Sequence, residues 1–463
     1  MNEILIKQFF SEKGDLANHI DDYRVRQEQI DISVLIDEAI TQKKKLIVEA
    51  GTGIGKTFAY LVPAFLSGGK IIISTATKNL QDQLFTKDIP MIRDALKVPV
   101  SLAMLKGRSN YLCHLRLENA MTEGAFMTKE DVTYLHLANQ HAKHSEDGDR
   151  TELDSIPEGS SIWPQVTSTK ENCLGQDCSF YKECFVMNAR KKALAADVTI
   201  VNHHLFFADL NMKEEGISEL LPKAATVIFD EAHQIPDIAS IFFGKNISTN
   251  HIGEIVKDGY QIYLKHMKDV SDFEPILNDL EKSNKDFRLV FPREPNRYPY
   301  QKISSFSRFD SAYKDLIEKL KKLIELIALH KDRDIEIEKY FDSTQEILSV
   351  FDAWREDKDN NSIKWVEVYS QSLQLNNTPL SIADMFAKHI NNDSTSWIFT
   401  SATLAVKNNF DHFKSQLGLG DADSVSKESP FNYAEKALLF VPKSMPDANH
   451  ENFNFAVVNQ IYP

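Results

Sequence analysis

The sequence predicts an α/β fold built on a parallel β-sheet that two long insertions interrupt. Six short runs rich in β-branched residues each end at a polar cluster, and helical patterns separate them. Such runs are typical of strands buried on both faces of a parallel sheet. Ligands of these sheets lie at the carboxyl ends of the strands, which is where the polar clusters occur. The predicted strands are Leu46–Glu49, Lys70–Thr75, Val98–Ala103, Val198–Asn202, Val227–Asp230 and Trp397–Thr400.

Size, charge and hydropathy limit the class of protein. A chain of 463 residues is too long for one ordinary core and predicts about two to four domains. The net charge of -14 argues against a uniformly basic surface. A local basic channel remains compatible with it, because phosphate binding depends on where Lys and Arg lie. No apolar stretch reaches the ~20 residues of a membrane-spanning helix, and the N-terminus lacks a signal-peptide pattern. We therefore expect a cytoplasmic protein without a membrane partner.

The clearest motif is AGTGIGKT at Ala50–Thr57, which follows a predicted strand and precedes a helical pattern. The strict phosphate-loop motif begins with Gly, whereas this one begins with Ala; its three glycines still let backbone N–H groups surround a phosphate. Lys56 is expected to reach the β- and γ-phosphates of ATP, and the Thr57 hydroxyl to hold Mg²⁺. A chance Gly-rich turn is the alternative, which the flanking elements disfavour. The expected ATP-binding residues of the loop are Ala50, Gly51, Thr52, Gly53, Ile54, Gly55, Lys56 and Thr57.

A second motif, VIFDEAH at Val227–His233, places two carboxylates at the end of another predicted strand. With a phosphate loop in the same sheet, we expect Asp230 to hold Mg²⁺ through water. Glu231 is expected to orient and deprotonate the attacking water, so that Lys56, Asp230 and Glu231 are the candidate catalytic residues. His233 has two equal interpretations, a link between the nucleotide site and the rest of the protein or a structural hydrogen bond.

Three further clusters surround these motifs in the predicted sheet. In YRVRQEQ, Gln29 with Arg26 is expected to select adenine, because an amide matches both donor and acceptor on the adenine edge. The hydroxyls of TSATL are expected to sense the γ-phosphate, and the polar groups of STATKNLQDQ to grip a nucleic-acid backbone. The residues concerned are Thr400, Ser401 and Thr403 in the first segment, and Thr75, Lys78 and Gln81 in the second.

Two long stretches interrupt the strand pattern. Residues 106–192 contain all four cysteines and no convincing series of strands, whereas residues 243–393 look mostly helical. An apolar stripe there marks one face of an amphipathic helix, which is best explained by helix packing. Apolar and polar residues alternate at Lys364–Leu375, which predicts a hairpin that leads back to the sheet. The sheet resumes at Trp397. The stripe consists of Leu316, Leu320, Leu323 and Ile327.

The four cysteines form one constellation. Four residues separate Cys173 from Cys178, five separate Cys178 from Cys184, and 59 separate Cys113 from Cys173. In a reducing compartment, four thiolates bind zinc or an Fe–S cluster. Zinc sites usually use close pairs on both sides, and the first cysteine has no close partner, which favours Fe–S. Zinc, and buried cysteines without metal, remain open alternatives.

Basic residues lie near these cysteines in the sequence and predict a path for DNA where its strands part. The alternative for the run Arg190–Lys192 is a solvated helix face. The full set is Lys106, Arg108, Lys170, Lys182, Arg190, Lys191 and Lys192.

The motifs AGTGIGKT, STATKNLQDQL, LKGRSNYLC, VNHHLF, DEAH and TSATL occur in this order. In this respect the chain resembles the DinG/XPD-type iron–sulfur DNA helicases of superfamily 2, most closely their bacterial YoaA-like branch. The resemblance implies a RecA-like fold and a DNA-stimulated ATPase that moves 5′ to 3′ on single-stranded or forked DNA. It also implies a role in replication or repair, a possible partner in the replication machinery, and a [4Fe–4S] cluster held by Cys113, Cys173, Cys178 and Cys184.

The same resemblance names the insertions and predicts a division of the chain. Residues 1–105, 193–242 and 394–430 are expected to form motor domain 1. Residues 106–192 are expected to form an Fe–S cluster domain, 243–393 a mainly helical arch domain, and 431–463 the start of a second RecA-like domain.

The given chain stops at Pro463, soon after TSATL, so most of the second RecA-like domain is expected to lie beyond it. Ala437–Val441 is the predicted first strand of that domain. Because loss of an arginine finger alone costs ~10³–10⁵ in rate, residues 1–463 are expected to hydrolyse ATP very slowly without it. A cluster-bearing DNA-structure binder without motor activity is one alternative function. A DEAH-type RNA helicase is another, although it does not explain the cysteines.

Overall fold

The computed structural model describes residues 2–123, 128–169, 172–214, 220–303, 305–356, 362–391, 394–442 and 444–462. The strands are β1 Lys45–Ala50, β2 Ile71–Thr75, β3 Leu102–Met104, β4 Val198–Asn202, β5 Thr226–Asp230, β6 Lys245–Ser248, β7 Asn296–Pro299, β8 Ser362–Val368, β9 Leu373–Pro379, β10 Ser396–Ser401 and β11 Asp423–Lys427. The helices are α1 Glu3–Phe9, α2 Gln27–Thr41, α3 Lys56–Ser67, α4 Lys78–Gln83, α5 Ile89–Leu96, α6 His114–Glu123, α7 Lys129–His144, α8 Trp163–Val166, α9 Phe185–Ala195, α10 His203–Glu214, α11 Ile235–Phe243, α12 Thr249–His266, α13 Phe273–Arg288, α14 Tyr300–Ile303, α15 Phe309–Ala328, α16 Ile335–Glu356, α17 Ala383–Ile390, α18 Asp411–Leu417, α19 Tyr433–Lys436 and α20 Phe453–Ile461.

Seven parallel strands form the main sheet in the order β11-β1-β10-β5-β2-β4-β3. This confirms the α/β class, and all six predicted strands lie in the sheet. The seventh strand, β11, pairs with β1 at the edge of the sheet. Its sequence, DSVSK, is polar and carries no buried apolar run, because an edge strand needs little apolar surface. The sequence pattern therefore did not indicate it.

Side chains of each central strand point alternately into two separate apolar cores. Leu46 and Val48 face the core formed with α1, α2, α3 and α5. Ile47 faces the other core, to which α9, α10, α11, α17 and α18 contribute. Helices thus cover both faces of the sheet, which explains why its strands read as continuous apolar runs.

The first insertion, between β3 and β4, contains α6 to α9 with only short bridges among its described residues. Part of it packs into the same core as the main sheet, through residues such as Leu135 and Trp163. It also contacts the second insertion, because Arg116 Nη1 lies 2.9 Å from Asp258 Oδ1 on α12.

The second insertion, between β5 and β10, combines long helices with a sheet of its own. The four residues of the predicted apolar stripe are all buried in a third core. The predicted hairpin is present as β8 and β9, and it pairs with β6 and β7 in an antiparallel sheet of order β6-β9-β8-β7. The sequence pattern did not indicate that second sheet.

One predicted strand is wrong. Ala437–Val441 is not a strand, and Leu438 and Leu439 are 92% and 88% exposed. A strand needs a neighbour to pair its backbone groups, and the described part of the chain offers none here. None of the described helices combines the length and apolar character needed to cross a membrane.

Candidate active site

The phosphate loop connects β1 to α3 at the carboxyl edge of the main sheet. Gly53 and Gly55 have φ angles of 88° and 89°, in the region that only glycine adopts freely. Helix α3 begins at Lys56, immediately after the loop. Loop amides and a helix N-terminus together form an anion-binding site, as the sequence predicts.

Lys56 and Glu231 form an ion pair across this edge of the sheet. Lys56 Nζ lies 2.9 Å from Glu231 Oε1, and both side chains are largely buried. Glu231 follows β5 directly and has a φ of 57°, a strained conformation for a residue other than glycine. Any anion that approaches Lys56 must compete with this carboxylate for its charge.

Asp230 is buried at the end of β5, and its carboxylate is only partly hydrogen-bonded. Tyr60 Oη lies 3.4 Å from Asp230 Oδ2, and the Thr57 side chain is close enough to the same phenol to affect its pKa. Asp230 Oδ1 is buried and has no hydrogen-bond partner among the residues that the structure describes. Burial raises the pKa of Asp230 to about 6, and the Lys56 charge opposes this rise. An orphaned carboxylate oxygen and a nearby hydroxyl are hard oxygen ligands that fit Mg²⁺.

Strand β10 brings a hydroxyl to the same carboxylate. The Ser401 hydroxyl donates to Glu231 Oε2 at 3.3 Å, and its oxygen lies 2.9 Å from His233 Nδ1. Thr400 is buried opposite Asp230 in the sheet register, whereas Thr403 is exposed. Of the three hydroxyls predicted in this segment, Ser401 is therefore the one that contacts the acidic motif.

Glu49 is a residue that sequence reasoning missed. Its Oε2 accepts hydrogen bonds from the backbone N–H groups of Leu404 and Ala405 at 2.5 and 2.6 Å. Its Oε1 accepts one from the Ser426 hydroxyl at 3.0 Å. The available signal in the sequence was a single acidic residue near the end of an apolar strand. Glu49 thus joins β1 to the loop after β10 and to β11.

Gln29 lies against the phosphate loop. It is 1% exposed, and its Nε2 donates to the Gly55 carbonyl at 3.0 Å. Its Oε1 is buried and meets no donor in the described part of the chain, so one acceptor and one N–H remain available. Arg26 is near the same glycine.

Residues 429–433 cover the outer side of the phosphate loop, which no local sequence signal indicates. The Ser429 hydroxyl donates to the Thr52 carbonyl at 2.7 Å, and the hydroxyls of Thr52 and Tyr433 are hydrogen-bonded. The Phe431 ring packs on Gly53, where any side chain would overlap it. Glycine is therefore required at this position by packing as well as by φ.

The structure corrects part of the predicted DNA-contacting set. Lys106 is 3% exposed, and its Nζ pairs with Asp149 Oδ2 at 2.7 Å and Asp82 Oδ1 at 3.0 Å. Thr75 and Gln81 are fully buried. These three side chains cannot reach a DNA backbone in this conformation, because all three are buried and Lys106 is also held in two ion pairs.

The rest of the predicted set is placed differently. Lys78 begins α4 and is partly exposed, and Arg108 and Arg190 line the pocket of the cysteines. Lys182, Lys191 and Lys192 are exposed. Lys170 lies outside the described residues.

All four cysteines line one pocket in the first insertion. Burial, with a smaller contribution from neighbouring Cys173 and Cys184, raises the pKa of the Cys113 thiol to about 11. The described residues include no three cysteines whose sulfurs lie within 4.8 Å of one another. Tetrahedral zinc at ~2.3 Å would hold sulfurs about 3.8 Å apart. Four thiols around one pocket are a donor set that either a [4Fe–4S] cluster or a zinc ion can use.

Strands β1, β5 and β10 thus bring a phosphate loop, two carboxylates and a serine to one edge of a parallel sheet, the arrangement of a RecA-like P-loop ATPase. The DEAD/DEAH box helicase family matches residues 33–149. Over 96% of this chain and 70% of the relative, the sequence is 41% identical to the ATP-dependent DNA helicase YoaA of Haemophilus influenzae. It is 40% identical to the Escherichia coli protein of that name, over 95% of this chain and 69% of the relative.

Among solved structures, the chain is similar to an XPD helicase with a TM-score of 0.47 and 16% identity, covering 88% of this chain and 62% of that one. The family assignment rests on the sequence relatives. The chain belongs to the YoaA family of ATP-dependent DNA helicases, as its motifs predicted.

Proposed function

We propose that this protein couples ATP hydrolysis to 5′-to-3′ movement on single-stranded DNA and unwinds duplexes, acting in replication or repair. The observation that carries the proposal is the Lys56–Glu231 pair at 2.9 Å, beside the phosphate loop of a YoaA-family chain. It brings the expected phosphate-binding cation and the expected general base to one point. The alternative of a DNA-structure binder without motor activity gives no reason for this geometry.

In the proposed reaction, ATP displaces Glu231 from Lys56. The lysine binds the β- and γ-phosphates, and the released carboxylate accepts a proton from a water that attacks the γ-phosphorus. The bond to the β-phosphate oxygen breaks, and ADP and phosphate leave. Ser401 and His233 hold Glu231 Oε2 in place and connect it to β10. Thr57 and Asp230 would hold Mg²⁺, which when bound would offset charge on the phosphate groups.

The pKa of Asp230 predicts a pH dependence for metal-assisted nucleotide binding. Its pKa lies above the ordinary 3.8, so the native state holds this proton more tightly than the unfolded state. Mg²⁺ must displace the proton, and we expect affinity for Mg²⁺ with a non-hydrolysable ATP analogue to fall about tenfold per pH unit below about 6. Titrations at pH 5 and 7.5, each repeated with EDTA, measure this. If Mg²⁺ strengthened nucleotide binding equally at both pH values, the assignment of Asp230 as a Mg²⁺ ligand would be contradicted.

The unpaired groups of Gln29 predict selection of adenine. Its Oε1 can accept from the adenine amino group, and its second N–H can donate to N7. Guanine presents an oxygen to Oε1 instead. We expect Gln29→Ala to reduce discrimination between ATP and GTP by about tenfold, the effect of one mismatched polar contact. Competition binding of the two nucleotides measures it, with the exposed Gln27→Ala as the control; unchanged discrimination would refute this role.

The pocket of four cysteines supports a [4Fe–4S] cluster held by Cys113, Cys173, Cys178 and Cys184. The proposed role is structural, because the cluster would join segments far apart in the sequence. The domain division predicted above, with a cluster domain and an arch, and a partner in the replication machinery are part of the same proposal.

Hydrolysis of ATP with and without single-stranded DNA tests the proposed function. We expect DNA to stimulate hydrolysis, and RNA of the same sequence to compete weakly. Unwinding of a duplex with a 5′ tail, but not of one with a 3′ tail, is the expected polarity. The assay is run on residues 1–463 and on the chain extended through a second RecA-like domain. Absence of stimulation in both proteins would contradict a DNA motor.

A further inference from the structure

A polar groove lies in the second insertion, away from the nucleotide site. Helices α12 and α13 form its walls, and the turn between β8 and β9 closes one end. Its volume is about 700 Å³. The lining residues used here are Glu254, Lys257, Asn284, Lys285, Arg288 and Arg293.

The charges in this groove are unbalanced. Four cations and one carboxylate, Glu254, line it, although the whole chain carries a net charge of -14. Lys285 pairs with Glu281 at the exposed surface of α13. Lys257 and Arg293 are exposed and form no ion pair within the described ranges of the chain. The rim therefore offers free positive charge to a ligand.

Arg288 is a buried cation without a carboxylate partner in the described structure. It is 6% exposed, and its guanidinium donates to the carbonyls of Phe291, Tyr369 and Ser370. Burial lowers the pKa of Arg288, and the neighbouring Arg293 lowers it further. Buried charges are normally paired, and two adjacent guanidinium groups repel. An anion in the groove would relieve both costs.

Asn284 supplies an independent sign of a ligand. Its Nδ2 donates to the Thr249 carbonyl at 2.9 Å, which fixes the orientation of the amide. Its Oδ1 is buried and accepts no hydrogen bond from any described residue. A buried acceptor costs free energy until a donor reaches it. A groove that offers cations for an anion and an acceptor for an N–H group suits a nucleotide unit.

We infer that this groove binds a segment of single-stranded DNA, with phosphates at Lys257 and Arg293, above the buried charge of Arg288, and a base edge at Asn284. The inference rests on the proposed function, since it adds a DNA contact to the motor. Unpaired bases expose the N–H groups that Asn284 accepts, whereas paired bases do not. The contact lies outside the main sheet, so it would hold DNA without changing the chemistry at Glu231.

Charge reversal at the rim tests this inference. The variant Lys257→Glu/Arg293→Glu changes two exposed side chains, and Lys268→Glu is the matched control beyond the far end of α12. Affinity for a fluorescent oligothymidylate is measured by anisotropy over a range of salt concentrations. We expect the double variant to weaken binding about tenfold or more, and the slope of log K against log[salt] to fall by about 1.4, or about 0.7 for each lost phosphate contact. The control should bind like the unchanged protein.

Three outcomes would overturn the inference. The first is an unchanged salt slope, and the second is an equal loss of DNA affinity in the control. The third is a double variant that binds the competing ligand pyrophosphate more weakly but oligothymidylate normally. Hydrolysis of ATP at saturating DNA should stay within about twofold of the unchanged protein, because the groove is remote from Lys56. If neither residues 1–463 nor the extended chain shows DNA-stimulated hydrolysis, the proposed function fails. If stimulation is present and the variants bind normally, only the groove assignment fails.

Discussion

Substitution Glu231→Gln should abolish most ATP hydrolysis while leaving nucleotide binding intact or stronger. Gln cannot accept the proton from the attacking water, and loss of general-base catalysis costs about 10²–10⁴ in kcat. The same change removes the carboxylate whose Oε1 lies 2.9 Å from Lys56 Nζ. ATP then has no internal competitor for the lysine. We therefore expect kcat to fall and the dissociation constant for ATP to stay level or decrease.

Steady-state hydrolysis and equilibrium binding of ATP measure the two effects separately. Asp237→Asn is the matched control, because Asp237 is an exposed carboxylate in the first turn of α11. It should change neither quantity. A Glu231→Gln protein with near-normal kcat would remove this residue from the chemistry. One with much weaker ATP binding would show that the Lys56–Glu231 pair orders the site rather than competing with the nucleotide.

Substitution Cys113→Ser should have the largest effect on stability. Cys113 is the cysteine most distant in sequence from the other three, and its thiol is held among them. If the four bind a cluster, losing one ligand removes a group whose binding contributes roughly 10 kcal/mol or more to folding at structural metal sites. We expect loss of visible absorbance, a lower unfolding temperature and loss of duplex unwinding.

The readouts are an absorbance spectrum and metal analysis of anaerobically purified protein, with about four irons expected per chain. Ser168→Ala is the control, since Ser168 lines the same pocket and is 4% exposed. It should keep the colour and the iron. A colourless protein containing zinc would overturn the cluster and favour a tetrahedral site that closes up around one ion. A colourless protein without metal would leave the cysteines as ordinary thiols.

The sequence was a good guide wherever a feature depends on neighbouring residues. Buried parallel strands read as apolar runs because both of their faces are covered, so β1, β2, β4, β5 and β10 were evident. The phosphate loop needs glycines within a few residues of one another, and Gly53 and Gly55 adopt the expected positive φ. The acidic motif follows its strand directly. In each case the physical constraint acts over one turn or one strand.

Features that depend on distant partners were not predictable. Lys106 stands in a basic segment, yet Asp82 and Asp149 from two other segments bury it. Glu49 looks like an ordinary strand residue until the loop after β10 donates two N–H groups to it. The 429–433 segment reaches the phosphate loop from more than 370 residues away, as the Ser429–Thr52 contact shows. No local pattern records such pairings.

The position of β10 also bears on how the protein is made. This strand lies between β1 and β5, although the ribosome synthesises it last of the three and after both insertions. Until residues 396–401 emerge, β1 lacks its inner neighbour and β5 keeps an open edge. Pairing over such distances in the chain makes folding slow, and open strand edges favour aggregation. The second insertion has its own core, so we expect it to be structured on the nascent chain while the catalytic sheet is still incomplete.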